Sequence, residues 1–196
     1  MSATSNSNAA ATNAIVSDDA ERLILVDAQD EPVGYLSKAA CHDGDGILHR
    51  AFSLFIFNSK GQLLIQQRAA GKRLWPGFWS NSCCSHPREG ETMDVAVVRR
   101  CEQELGFSTP LNYLYKFTYQ ANFQDLGSEH ELCSVYVGRY DGEPNPNSTE
   151  IDAWRWVDPG ELDTVLSDPS EPFTPWFRLE WTRLNEEFAD ALPARS

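Results

Sequence analysis

"RAFSLFIFNSKGQLLIQQR", residues 50–68, decides the fold. Two apolar runs flank the tetrapeptide NSKG, which is the signature of a β-hairpin. Towards the N-terminus, RLILVD (22–27) and VGYLSK (33–38) bracket a turn around Gln29 to Pro32 and predict a second antiparallel pair. In the other direction the period changes. TMDVAVVRRCEQELG (92–106) places Val95, Val98, Cys101, Glu102 and Leu105 along one helical stripe, with Thr92 as cap and Gly106 as stop. Alternation resumes in YLYKFTYQANF (113–123) and HELCSVYVGRY (130–140), parted by QDLGSE, and again in DAWRWVD (152–158). DGEPNPNSTE (141–150) reads as a loop. Pro159 opens a short helix to about Ser167, and Thr174 with Pro175 starts a final helix to about Leu192. The order predicts an α+β fold, a mixed β-sheet sandwiched by helices, with extra strands at the N-terminal end and helices at the C-terminal end.

The chain has 196 residues, 41% of them hydrophobic, with six tryptophans, enough for one sizeable core. Residues 1–18, MSATSNSNAAATNAIVSD, read as a disordered tail, and residues 19–196 as a single domain. That tail has neither the basic start nor the apolar run of a signal peptide, and no stretch approaches a membrane span. Five cysteines, an odd number with no CxxC pair, point to a reduced, cytoplasmic protein. Cys41, Cys101 and Cys133 read as buried small hydrophobes.

The net charge of −13 argues against nucleic acid or an anionic membrane as partner. Its distribution is uneven. Residues 38–116 hold ten of the sixteen lysines and arginines against seven acids, a basic island that suits recognition of a small, highly charged anion. Ordinary surface could also account for it.

NSCCSHP (81–87) sets two thiols and a histidine beside a run of tryptophans. A disulfide between neighbours needs a strained ring and oxidising surroundings, and a thiolate zinc knuckle needs further ligands at short spacing. Neither fits well. In an extended segment Cys84 and His86 face one side, Cys83 and Ser85 the other, so the two thiols have different roles. Of the four histidines, His42 lies in the polar loop CHDGDG, His49 opens a strand and His86 follows the cysteine pair. Glu129 and Glu131, two apart in SEHEL, share a strand face from which His130 points away. Two carboxylates so close repel unless a cation lies between them, although spacing alone favours a plainer reading, an exposed acidic strand entrance.

LWPGFWSNSCCSHP, GETMDVAVVRRCEQELGF, FTYQANF and SEHELC, in this order and spacing, resemble the type I isopentenyl-diphosphate isomerases of the Nudix superfamily. The similarity runs from about Arg22 to FTPWF (173–177). It implies a Nudix-like fold and a divalent metal (Mn²⁺, Zn²⁺ or Mg²⁺) held by His42, His49, His86, Glu129 and Glu131. It also implies Cys84 and Glu131 as the essential pair, with Cys83 variable, Tyr119 bonded to the glutamate, and Trp176 as an aromatic lid over the isoprenoid. Glu104, with the Cys84 backbone, matches the site of a second ion, Mg²⁺, that bridges to the diphosphate. Lys38, Arg68, Lys72 and Arg100 match the diphosphate-binding bases. The implied partner is a small molecule, isopentenyl or dimethylallyl diphosphate, bound by a monomer or weak dimer.

The hydrolytic Nudix signature is incomplete. Glu91, Arg99, Glu104, Gly106 and Phe107 are kept, but Ser85, Arg100 and Gln103 stand where a glycine and two glutamates belong. Hydrolysis needs several carboxylates on one helical face to hold metal ions and activate water, so these losses argue against it. A Nudix hydrolase of nucleoside or prenyl diphosphates is the alternative, and a silent metal-binding module a third. Isomerisation needs an acid on one side of the alkene and a base on the other, in a dry pocket, and Trp75, Trp79 and Trp176 suit the exclusion of water, although ordinary core packing is their plainer role.

Overall fold

The computed structural model describes residues 13–193. The hairpin of the opening stretch forms between β3 (His49–Phe57) and β4 (Leu63–Arg68), and the second antiparallel pair between β1 (Arg22–Val26) and β2 (Pro32–Ser37). The long ribbon of β7 (Leu111–Phe123) and β8 (Gly127–Arg139) then joins the sheet by pairing β8 parallel to β3, from His49 opposite Glu131 to Phe57 opposite Arg139. This makes the sheet mixed. β9 (Ile151–Val157) lies antiparallel on the far side of β4. Within the tryptophan-rich segment, the two-residue β5 (Trp79–Ser80) pairs with β4, and β6 (Cys83–Ser85) pairs with β3, setting Ser53 opposite Cys84.

Helices cover both faces. α1 (Lys38–Cys41) is one turn capped by Ser37. α2 (Met93–Leu105) follows Thr92 and ends at Gly106, whose φ of 76° turns the chain out of the helix. A Cβ at Gly106 would lie 2.6 Å from the Asn145 carbonyl, so the stop is also a point of close approach. The stripe expected on α2 is rotated. Val95, Val98 and Glu102 face solvent, while Ala96, Val97, Arg100, Cys101, Glu104 and Leu105 are buried. Arg100 and Glu104 neutralise one another there, which puts charges at inward positions that a hydrophobic period assigns to water.

α3 (Pro159–Ser167) lies where expected, whereas α4 (Pro175–Glu187) stops short of Leu192 and gives way to a 3-10 turn over Ala189–Ala191. α4 lays Trp176, Phe177, Trp181 and Leu184 against Phe55, Phe57, Leu63 and Ile65 on one face of the sheet, and α2 covers Phe52, Leu54, Ile56 and Leu64 on the other. Of the expected tail, residues 1–12 lie outside the described residues. Residues 13–18 are held against the domain: the Asn147 amide donates to the Ala14 carbonyl at 2.8 Å, and Arg100 to the Val16 carbonyl at 2.6 Å. No helix among the described residues is long and apolar enough to cross a membrane.

Candidate active site and metal centre

His49 and Glu131 are direct cross-strand neighbours in the β3–β8 pairing, and Glu129 is two residues back on the same face. His42 arrives from the end of α1, tied down where Ser128 donates its backbone N–H to the His42 carbonyl at 3.0 Å. This approach requires Gly127. Its φ is +144°, and a Cβ there would come within 2.2 Å of that carbonyl. His86 follows β6, braced by Arg99, which donates to the His86 carbonyl and is itself paired with Glu91 at 2.6 Å.

The five ligand atoms of His42, His49, His86, Glu129 and Glu131 all lie within 4.8 Å of one another, and four of the five residues are fully buried. Their hydrogen bonds leave them aimed inward. Nδ1 of His42 sits 2.6 Å from the Lys38 carbonyl and Nδ1 of His49 2.7 Å from that of Ile47, which fixes Nδ1 as the protonated nitrogen and turns the Nε2 lone pairs to the centre. His49 Nε2 has no hydrogen-bond partner, and Glu129 Oε2, 2.8 Å from His42 Nε2, is not in bonding geometry with it. Burial, reinforced by the neighbouring imidazoles, pushes His86 well below the usual histidine range, and burial with His42 brings His49 down to about 4. Burial would raise Glu129, but His42 draws it down to about 2; burial and the Glu129 charge hold Glu131 far above the ordinary carboxylate range. Three neutral imidazoles and two buried carboxylates form a set with a charge of −2 when all are in ligating form. The donor set, the inward lone pairs and the orphaned atoms fit a divalent cation of borderline type.

Beside this centre lies a cavity of about 540 Å³, whose lining includes Cys84, His86, Tyr119, Glu129, Glu131 and Trp176 together with Lys38, Arg68, Lys72 and Arg100. The structure thus brings the expected site residues together, with Glu104 as the exception. Glu104 does not line the cavity; Arg100, its ion-pair partner, stands on the cavity side. Tyr119 donates its hydroxyl to Glu131 Oε2 at 2.6 Å. Trp176 is anchored by its indole N–H to Ser80 at 3.0 Å, packs edge-on against Trp75 and carries the Arg68 guanidinium over its ring at 5.3 Å. Trp75 and Trp79, both expected at the cavity, are not on its wall. Trp75 packs behind Trp176, and Trp79 lies under Arg155 instead.

The two thiols separate as alternation predicts. Cys83 is buried with Ala96, Val97 and Cys101 under α2, whereas Cys84 faces the cavity and donates to Asn81 Oδ1 at 2.8 Å. Burial, then the nearby Glu180, pushes the Cys84 thiol far up.

Sequence reasoning missed Glu150. This buried carboxylate pairs with Lys72 and lies 3.3 Å from Arg100, inside the basic cluster. Nothing in DGEPNPNSTE distinguishes it from a loop acid. Burial and the cations Lys72 and Arg100 lower Lys38 to about 8, so the cluster is short of negative charge even with Glu150 in place.

A buried carboxylate–thiol cavity, an imidazole-rich centre and a basic mouth on this sheet define a diphosphate-handling member of the Nudix class, and a NUDIX domain model matches residues 47–177. The chain belongs to that superfamily and, within it, to the isopentenyl-diphosphate Delta-isomerase family. It is 44% identical over 174 residues to "Isopentenyl-diphosphate Delta-isomerase 1" of Photorhabdus laumondii, covering 88% of this chain and 99% of that protein. It is 46% identical to the isopentenyl-diphosphate Delta-isomerase of Burkholderia multivorans, covering 80% and 89%. Among solved structures, one from Deinococcus radiodurans superposes with a TM-score of 0.70 at 27% identity, covering 83% of this chain and 98% of that one.

Proposed function

We propose that the protein interconverts isopentenyl and dimethylallyl diphosphate, adding a proton at the terminal methylene and removing one from C2, by way of a tertiary carbocation. The observation that carries this reading is the shared cavity. Glu131, steadied by Tyr119, and Cys84 line one cavity with Trp176 and with the bases Lys38, Arg68, Lys72 and Arg100. An unactivated alkene is a weak base, so the proton donor must be strong and water absent, since water would trap the cation as an alcohol. Trp176 offers the cation its π-face, worth up to about 2 kcal/mol in a dry pocket. A dication (Mn²⁺, Zn²⁺ or Mg²⁺) held by His42, His49, His86, Glu129 and Glu131 would draw electron density from Glu131 and strengthen it as an acid. Glu104 and the Cys84 backbone would hold a Mg²⁺ accompanying the diphosphate only with Glu104 released from its pair with Arg100. The substrate is small, with no nucleic acid or membrane partner, and the protein works as a monomer or weak dimer in the cytoplasm.

The test is deuterium uptake. Incubated with isopentenyl diphosphate in D₂O, the protein should label both isomers and release no phosphate. Phosphate release without labelling would instead support a hydrolase.

Metal dependence has its own measurement. An ion held at one hundred times its dissociation constant stabilises by about 2.7 kcal/mol. In a domain of this size that corresponds to roughly 5–10 °C in melting temperature. Chelation should lower the melting temperature by about that amount, and re-addition of Mn²⁺, Zn²⁺ or Mg²⁺ should restore it. A melt unmoved by chelator and by all three ions would exclude the centre as a metal site.

A further inference from the structure

We propose that Glu180 is a positioning residue for Cys84, fixing the thiol against the cavity through a hydrogen-bonded chain of Cys133 and the Ser53 hydroxyl. The inference deepens the isomerase reading and rests on it. Glu180 lies one turn beyond Trp176 on the inner face of α4 and is completely buried. Among the described residues no cation pairs with it. Its Oε1 accepts from the Cys133 thiol at 3.5 Å, and its Oε2 has no hydrogen-bond partner. Ser53 Oγ is in turn 3.4 Å from both Cys84 Sγ and Cys133 Sγ. A polar chain therefore runs from α4 through β3 to the cavity thiol, whose other side is held by Asn81.

A lone buried acid is costly unless it has a task. The groups facing it are Cys133 and, beyond it, Glu131 from β8, Cys84 from β6, and Tyr115 from β7, whose hydroxyl donates to the Glu180 backbone carbonyl at 3.4 Å. Burial lifts Glu180 to about 8, so the acid is protonated at neutral pH. In that form it can donate to the Cys133 sulfur, so that the Cys133 thiol donates to Ser53 and the serine hydroxyl to the Cys84 sulfur.

Three variants test this by steady-state kinetics from pH 6 to 10, with melting curves. Breaking a buried hydrogen-bond chain costs about 1–3 kcal/mol, or roughly 10- to 100-fold in rate. Glu180→Leu should therefore lower kcat about that much, with KM within about twofold and the melt not lowered. Ser53→Ala should behave the same way. Glu180→Gln, also neutral, should keep kcat within about threefold, because its amide can donate where the protonated acid does. Wild-type kcat in Glu180→Leu or Ser53→Ala, or a glutamine variant as impaired as the leucine one, overturns the proposal. Wild-type protein that takes up no deuterium sinks the isomerase reading as well; an active wild type with unimpaired variants sinks only this inference.

Discussion

Glu131→Gln is expected to lower deuterium incorporation by about 10² to 10⁴, the usual contribution of one positioned proton-transfer group. The substitution preserves volume and leaves the Tyr119 hydroxyl an oxygen to bond, but removes the carboxyl that gains and loses a proton. Glu131 also lies among the metal-centre ligands, 2.8 Å from His86 Nε2, so weakened ion binding is a competing cause. Saturating metal separates the two. Glu131→Gln with full metal occupancy and full activity would remove Glu131 from the chemistry; full occupancy with lost activity assigns it the proton.

The two neighbouring thiols give the second large contrast. Cys84→Ala should reduce kcat by about 10² to 10⁴, because the only group facing Glu131 from β6 would no longer carry a proton. Cys83→Ala should leave kcat within about twofold and cost about 1 kcal/mol of stability, the cavity left by one sulfur under α2. Adjacent residues of one strand cannot face the same way. Equal damage from the two substitutions would refute the assignment of Cys84.

Much of this was legible in the chain because the relevant signals are local. The NSKG hairpin, the limits of α2 and the alternation that separates Cys83 from Cys84 all follow from backbone periods of two and 3.6 residues. Glu129 and Glu131 could be paired by spacing, but joining them to three histidines needed the resemblance to a known family. The parallel registration of β3 with β8, which sets His49 beside Glu131, is a long-range pairing that no local pattern encodes. The inward face of α2 was misread for a related reason: Arg100 and Glu104 are tolerable there only because each neutralises the other. Ser53, Glu150 and Glu180 stayed hidden because a buried polar residue and an exposed one look alike until the tertiary contacts are known. For Trp75 and Trp79 the sequence left cavity wall and core packing both open, and the chain path puts one behind Trp176 and the other beneath Arg155.

The buried group of Arg100, Glu104 and Glu150 bears on how such an enzyme can change its trade. Restoring the hydrolytic helix by Arg100→Glu alone would leave three carboxylates in a dry interior with Lys72 as the remaining counterion, and removing one partner of a buried ion pair typically costs about 3–5 kcal/mol. A hydrolytic helix could arise here only if compensating substitutions came first, so epistasis at this one cluster opposes that change of chemistry.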